Sequence, residues 1–142
     1  MYYVEKTFRV PVGHRLSKNS ARCQFIHGHN LTVKIKIKSE KLNAQDMVID
    51  FGDLKKIVDS AIMDSLDHSL LINEKDEFIP SEVLDKSRCF RLIKDPTAEY
   101  LSQFIYEHLR LSFKPSHDNN YMRLVSVKIW ENEDSCATYT EE

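Results

Sequence analysis

The stretch that decides the fold is HGHNLTVKIKIK, which runs from His27 to Lys38. From Leu31 onward apolar and polar residues alternate, and most of the polar ones are lysines. A side-chain period of two with one apolar face is typical of a half-buried strand, usually in an antiparallel sheet. His27 and His29 share the parity of Leu31. If the strand extends back to His27, both imidazoles therefore point to the same side, as chelation of a metal requires.

The remaining elements follow from their own periodicities. Apolar stripes at i, i+3 and i+4 spacing predict two helices, and alternating or β-rich runs predict three more strands. In chain order these are a strand at about Tyr3–Val12, helices at about Asp53–Leu66 and from Asp95–Glu99 onward, and strands at about Met122–Glu131 and Cys136–Thr140. The sequence thus predicts one domain over residues 1–142, of α+β class, with the order strand, strand, helix, helix, strand, strand.

Two segments interrupt this regular pattern. Pro11 and Gly13 are expected to break or bulge the first strand just before His14. The long polar segment Asn73–Lys94, between the helices, is interpreted as a loop with room for one small extra element. Neither segment divides the chain, because no repeat or low-complexity linker accompanies it.

The second helix has clear signals at both ends. Asp95 followed by Pro96 is a typical start, with the aspartate as cap and the proline at the first helical position. We expect the helix to end before Pro115 and the polar cluster Ser116–Asn120. On it, His108 lies in the apolar stripe and is predicted to be packed in the core, whereas His117 is predicted to be solvated.

Composition excludes several classes of function. The net charge of −2 gives no electrostatic reason to expect nucleic-acid binding. No apolar run is long enough to cross a membrane, and the first residues lack the pattern of a secretory signal. The 3 cysteines are odd in number and far apart, so we expect no disulfide framework and a reducing cytoplasm. The 3 glycines form no phosphate-cradling loop.

Three histidines make a candidate metal site. His27 and His29 flank Gly28, which lets the backbone pass close to a metal without an intervening side chain, and His14 lies a short way upstream. Imidazole favours zinc over magnesium or calcium, and three histidines leave one coordination position free. A His-x-His pair is only moderately specific, so ordinary surface or core histidines remain the alternative.

Cys23 lies four residues before His27. Most free cysteines are small buried apolar residues. Beside Arg22 and the histidines, however, this thiol has the polar surroundings of a nucleophile, a base or a fourth metal ligand. Cys89 and Cys136 have no comparable neighbours and are interpreted as ordinary residues.

Two further sites contain carboxylates. Asp67 precedes His68 after the first helix, and an aspartate that orients a histidine is a recurring general-base arrangement. Adjacent residues seldom pair usefully, which weakens this interpretation. Glu131 ends an apolar strand face, either as a solvated strand end or as a carboxylate that holds the amide-and-amine edge of a heterocycle by paired hydrogen bonds.

Taken together, several short stretches resemble the 6-pyruvoyltetrahydropterin synthase family, and within it the bacterial 6-carboxytetrahydropterin synthase (QueD) branch. They occur in the family's order and cover nearly the whole chain. The stretches are His14-Arg15-Leu16, Cys23-x-x-x-His27-Gly28-His29-Asn30, Met47–Lys55, Leu66-Asp67-His68, Pro96-Thr97-Ala98-Glu99 and Trp130-Glu131. Each is weak alone, and their common register makes the resemblance strong.

The resemblance implies a fold and a set of roles. The fold is the tunnelling fold (T-fold), with a four-stranded antiparallel sheet and two helices between strands two and three. Such subunits join through their sheets into a barrel, as a hexamer or a related assembly of trimers, with active sites at subunit interfaces. The implied roles are zinc binding by His14, His27 and His29, proton transfer by Cys23, Asp67 and His68, and pterin binding by Glu131 and Thr97.

The implied substrate is 7,8-dihydroneopterin triphosphate, which the QueD branch converts to 6-carboxy-5,6,7,8-tetrahydropterin, acetaldehyde and triphosphate for queuosine biosynthesis. Three residues between Cys23 and His27 resemble this branch, since animal pyruvoyl synthases usually carry a longer insertion. A third branch typically has glutamate in place of the cysteine. The alternatives are a pyruvoyl synthase acting on the same substrate, and a pterin-binding zinc protein without activity. Arg15, Lys18 and Arg22 are all candidates for holding the triphosphate.

Two departures from the family pattern stand out. The lead-in to His14, from Phe8 to Gly13, is longer than usual and contains Pro11. The Asn73–Lys94 segment is also longer than the usual connection. We expect it to cover the site or to alter assembly.

Overall fold

The structure, a computed structural model, describes residues 1–113 and 121–141. The strands are β1 Tyr2–His14, β2 His27–Ser39, β3 Ser69–Asn73, β4 Cys89–Leu92, β5 Arg123–Trp130 and β6 Cys136–Thr140. The α-helices are α1 Phe51–Val58, α2 Asp64–Leu66, α3 Ser81–Asp85 and α4 Ala98–Leu109. A π-helical turn, Asp59–Met63, joins α1 to α2, and 3-10 turns cover Arg22–Gln24 and Arg110–Phe113. The predicted helix end at Pro115–Asn120, with His117, lies outside the described residues.

The β1–β2 hairpin forms the centre of the sheet. Its antiparallel register runs without interruption from Tyr2 opposite Ser39 to His14 opposite His27. The predicted break at Pro11 is therefore wrong. The Pro11 carbonyl faces away from β2 and accepts a hydrogen bond from the His68 N–H at 2.8 Å. The proline nitrogen faces the same outer side, so its missing N–H removes no backbone hydrogen bond between β1 and β2.

The sheet has six strands in the order β4-β3-β1-β2-β5-β6. The four predicted strands form its antiparallel part, but β3 pairs in parallel with both β1 and β4. The expected four-stranded antiparallel sheet is therefore wrong in strand number and in direction. The Asn73–Lys94 segment, interpreted as a loop with room for one small extra element, contains both α3 and β4, and with β3 it makes a parallel strand–helix–strand unit. Short apolar runs such as Leu70–Ile72 do not distinguish a strand from a helix end.

The core lies between the sheet and the helices. The apolar face of β1, β2 and β5 packs with Leu54 and Val58 of α1 and with Leu101 and Ile105 of α4, all buried. Helix α4 presents its histidine to solvent, so the prediction that His108 is packed in the core is wrong. In the part of the chain described, no helix is long and apolar enough to cross a membrane.

Both helix starts differ from their predictions, because other residues act as caps. Helix α1 is capped by Asp50, whose side chain accepts from the Gly52 N–H at 2.8 Å and the Asp53 N–H at 3.1 Å. Helix α4 is capped by Thr97, which accepts from the Tyr100 N–H at 3.2 Å. Asp95 was the predicted cap, but its carboxylate is occupied elsewhere.

Candidate metal and proton-transfer site

The hairpin register brings the three histidines together. His14 lies opposite His27, and Val12 opposite His29, so all three rings project from one end of the hairpin on the core side of the sheet. Their ligand atoms lie within 4.8 Å of one another. Ring centroids are 4.5 to 4.9 Å apart. The extension of the second strand back to His27, and the shared direction of its two imidazoles, are confirmed.

The hydrogen bonds of these rings show which nitrogens are free. His14 Nδ1 donates to the Pro96 carbonyl at 2.9 Å, and His27 Nδ1 donates to the Phe25 carbonyl at 2.7 Å. A carbonyl only accepts, so in the neutral rings both protons are on Nδ1 and both Nε2 atoms carry lone pairs. Those two Nε2 atoms face each other at 2.9 Å. Two lone pairs this close are stabilised by a cation between them.

The protonation state of His14 fits metal binding. Burial lowers the pKa of His14 to about 4, because the interior disfavours the charged ring. The ring is therefore neutral at pH 7, as a ligand must be. The Pro96 carbonyl on Nδ1 fixes its tautomer and orientation in the way that outer partners of metal-binding histidines do. The donor set suits a borderline metal such as zinc.

Glu131 and Thr97 lie at the borders of the histidine group. Glu131 follows β5, and its Oε1 is 4.0 Å from His14 Nε2, with 28% of its side chain exposed. Thr97 begins α4 and directly follows Pro96, whose carbonyl holds His14. The carboxylate is therefore close to the metal position within the same chain, and the roles of both residues stay predictions.

Cys23 lies in the 3-10 turn Arg22–Gln24 of the loop between β1 and β2 and is half-buried. Its carbonyl accepts from the Leu16 N–H at 2.8 Å. Within the described residues, the group able to hold a metal consists of the three histidines and does not include this thiol. The structure therefore gives no support to Cys23 as a fourth ligand that closes the site.

Asp67 and His68 form the pair that sequence reasoning doubted. His68 Nδ1 donates to Asp67 Oδ1 at 2.8 Å. The backbone at His68 is left-handed, with φ of 58°, an uncommon conformation that turns the chain sharply between α2 and β3. Adjacency therefore does not prevent the pairing. The His68 side chain is 77% exposed, so it presents its other nitrogen to the surface.

Asp95 is a residue that sequence reasoning misassigned. Its buried carboxylate accepts from the Ser17 hydroxyl, from the Lys18 N–H at 2.9 Å and from the Asn73 amide at 3.0 Å. Burial pushes the pKa of Asp95 up, but these hydrogen bonds outweigh it and leave the pKa below its ordinary value. Asp95 thus ties the segment after His14 to the start of α4. The Asp-Pro pair resembles a cap, which concealed this role.

Comparison with known proteins shows the family of the chain. A sequence model of the 6-pyruvoyl tetrahydropterin synthase family matches residues 3–142. The 6-carboxy-5,6,7,8-tetrahydropterin synthase of Haemophilus influenzae is 31% identical over 149 residues, covering 99% of this chain and 100% of that protein. The protein of the same name from Aquifex aeolicus is 29% identical over 159 residues, covering 98% of each chain.

Solved structures share the fold. An uncharacterized protein from Wolinella succinogenes superposes with a TM-score of 0.80 at 22% identity, covering 99% of this chain and 98% of that one. The 6-pyruvoyl tetrahydropterin synthase of Caenorhabditis elegans does so with a TM-score of 0.70 at 23% identity, covering 99% and 96%. At these identities the likeness concerns the fold alone. Since the family match spans nearly the whole sequence, the chain belongs to the 6-pyruvoyl tetrahydropterin synthase family.

Proposed function

We propose that this protein is a zinc-dependent 6-carboxy-5,6,7,8-tetrahydropterin synthase, a carbon–carbon lyase. With one water, it converts 7,8-dihydroneopterin triphosphate to 6-carboxytetrahydropterin, acetaldehyde and triphosphate, for queuosine or deazapurine biosynthesis. The observation that carries the proposal is the approach of the His14 and His27 Nε2 atoms to 2.9 Å at the end of the hairpin, with the Nδ1 atom of each ring held by a backbone carbonyl. The names and full-length coverage of the relatives support the choice of reaction.

His14, His27 and His29 would hold the zinc. The bound ion supplies a Lewis acid that polarises an oxygen of the substrate side chain. Glu131, close to His14, holds the amide-and-amine edge of the pterin by paired hydrogen bonds. This places the side chain of the substrate at the histidine group. Cys23 is then the proton-transfer group supplied from the β1–β2 loop.

His68, oriented by Asp67, is the second proton-transfer group of the proposal. Its exposure beside the outer edge of β1 supports an assembly in which it serves a neighbouring chain. β3 covers that edge only at Val12–His14, so in the sheet as described the stretch Tyr2–Val10 has no strand partner there. An open edge of this length favours pairing with a second copy. We therefore include a homo-oligomer, a hexamer or a related assembly of trimers with shared sites, in the proposal.

The second candidate is a 6-pyruvoyltetrahydropterin synthase, a phosphate lyase on the same substrate, which the fold of the Caenorhabditis elegans protein accommodates. A pterin-binding zinc protein without activity is the third. The pyruvoyl and carboxy reactions differ in whether a two-carbon fragment leaves the substrate's side chain.

The three free cysteines fit the cytoplasmic location predicted from composition.

The test is product identification with zinc-loaded protein and 7,8-dihydroneopterin triphosphate. We expect acetaldehyde, trapped as a hydrazone, in equal amount to released triphosphate, and 6-carboxytetrahydropterin by mass spectrometry. Triphosphate without acetaldehyde would overturn the carboxy assignment in favour of the pyruvoyl synthase. Binding of the pterin with neither product would favour the protein without activity.

A further inference from the structure

Arg15 follows the metal ligand His14 and is buried, yet no ligand-binding role accounts for it. Its Nη1 donates to the Gln24 carbonyl at 2.6 Å. Its Nε and Nη2 donate to the two carboxylate oxygens of Asp76, the second at 3.1 Å. The guanidinium carbon lies 4.1 Å from the ring centroid of Phe78. These contacts occupy the guanidinium of Arg15 inside the protein, so Arg15 is a poor candidate for holding a triphosphate.

The contacts of Arg15 fix the turn that carries the thiol. Gln24 directly follows Cys23, and the Cys23 carbonyl is itself held by the N–H of Leu16, next to Arg15. Two successive carbonyls of the turn are therefore attached to two successive residues after His14. The distance between the thiol and the histidine group depends on this attachment.

Asp76 is in turn held rigidly by the strand–helix–strand unit. Its side chain is 4% exposed, and its Oδ1 accepts from the Phe78 N–H at 3.0 Å. Its own N–H donates to the Asn73 carbonyl at 2.9 Å. The Asn73 amide donates to Asp95, which also holds Ser17 and Lys18. This network thus holds the first part of the Cys23 loop directly and its second part through the bond from Arg15 to the Gln24 carbonyl.

We propose that Arg15 and Asp76 are positioning residues that set the place of Cys23 relative to the three histidines. The inference deepens the proposed function, because it rests on Cys23 acting there as a proton-transfer group. It also gives the long Asn73–Lys94 segment a role, because Asp76 of this segment binds Arg15 and thereby supports the loop that carries the thiol. The guanidinium suits this role because its planar fork contacts a carboxylate and a carbonyl at once, which the single ammonium of lysine does not reproduce.

The test compares Arg15→Lys and Asp76→Asn with a matched control in the same unit, Arg91→Lys and Asp85→Asn. The control pair is an exposed ion pair, with Arg91 Nη2 3.2 Å from Asp85 Oδ1. Two readouts are taken: the alkylation rate of each cysteine by peptide mass spectrometry, and kcat and KM for the pterin triphosphate. The exposed Cys136 serves as internal reference for alkylation.

We expect Arg15→Lys and Asp76→Asn to raise the alkylation rate of Cys23 about tenfold relative to Cys136, because local opening exposes the turn. We expect kcat to fall about a hundredfold, as it does when a reacting group is displaced. Zinc content and KM should change little. The control pair should match the wild type in Cys23 alkylation and in kcat and KM.

Unchanged Cys23 alkylation in both variants would overturn the inference, and so would loss of zinc with unchanged alkylation. Asp76→Asn leaves a buried cation without its partner and risks unfolding. Arg15→Lys preserves the charge balance, and Phe78→Leu, which removes only the stacked ring, gives a third variant with the same expected direction. Alkylation needs no pterin chemistry. If the wild type turns over no pterin triphosphate, the proposed function fails while the alkylation result still decides the positioning role.

Discussion

The two halves of the candidate site differ in the way the chain holds them. The metal half lies on two paired strands, where His14 is 1% exposed and its position follows from strand register. The proton-transfer half lies on turns, with Cys23 half-buried in a loop and His68 exposed at a left-handed turn. One chain is therefore sufficient to build the metal half. The proton-transfer half depends on loop bracing and, in our proposal, on a neighbouring subunit.

The largest expected effect comes from breaking the metal half. His27→Ala removes one of three ligands and leaves His14 Nε2 without its facing partner. We expect zinc affinity to fall well beyond the roughly hundredfold cost of losing an outer-shell partner, with loss of turnover. Zinc content after dialysis and isothermal titration measure this. His108→Ala, an exposed histidine on α4, is the control and should retain zinc. Full zinc occupancy in His27→Ala would rule out the three-histidine site.

Cys23→Ala breaks the proton-transfer half alone. The thiol is not part of the histidine group, so zinc content should stay at the wild-type level. Turnover should fall by about 10²- to 10⁴-fold, the usual contribution of a proton-transfer group. The exposed Cys136→Ala is the matched control. Zinc loss in Cys23→Ala would instead mean that the thiol is a metal ligand.

His68→Ala tests whether the two halves come from different chains. Alone it should lower turnover by about a hundredfold or more, because it removes a proton-transfer group that Asp67 orients. Co-refolding it with Cys23→Ala, both inactive, should restore part of the activity if each site takes its residues from two subunits. Activity that stays at the level of the separate variants, in mixed oligomers verified by tagging, would show that one chain supplies both groups.

Glu131→Gln probes the border between the halves, since this carboxylate lies 4.0 Å from His14 Nε2. As a pterin anchor it makes charge-assisted hydrogen bonds, and their weakening should raise KM by about ten- to a hundredfold with zinc retained. Binding of a non-reactive pterin, followed by fluorescence, gives the same comparison without turnover. A fall in zinc affinity with unchanged pterin binding would assign Glu131 to the metal.

Thr97→Ala should have the smallest effect. The threonine caps α4 through the Tyr100 N–H, and losing such a cap costs about 1 kcal/mol of stability. Thr97→Ser keeps the hydroxyl and should melt close to the wild type. If Thr97 also contacts the pterin, Thr97→Ala raises KM while Thr97→Ser does not. Thermal melts and steady-state kinetics separate these contributions.

The sequence predicted β2 well because a strict alternation of apolar and polar residues is typical of a strand alone. The same period placed His27 and His29 on one side and gave the core face of β2. Helix α1 was found by its stripe, although its start at Phe51 and its π-helical turn were not. These elements carry their own local signal.

The parts that sequence reasoning missed depend on distant partners. β3 and β4 are too short to show a period: β3 pairs with the edge of β1 at Val12–His14, and β4 pairs in turn with β3. Asp95 resembles a helix cap in the sequence, but in the structure its carboxylate accepts hydrogen bonds from Ser17, Lys18 and Asn73. The pairing of Arg15 with Asp76, 61 residues apart, has no local signature at all.

The contacts of His14 differ in sequence separation, and we expect the more local one to form first in folding. Its partner across the hairpin, His27, is 13 residues away, so the two rings meet once a short loop closes. Its other partner, the Pro96 carbonyl, is 82 residues away and arrives only when α4 docks on the sheet. We therefore expect a metal ion present during synthesis to meet all three proposed ligands, His14, His27 and His29, in the emerging hairpin, long before the last strand leaves the ribosome.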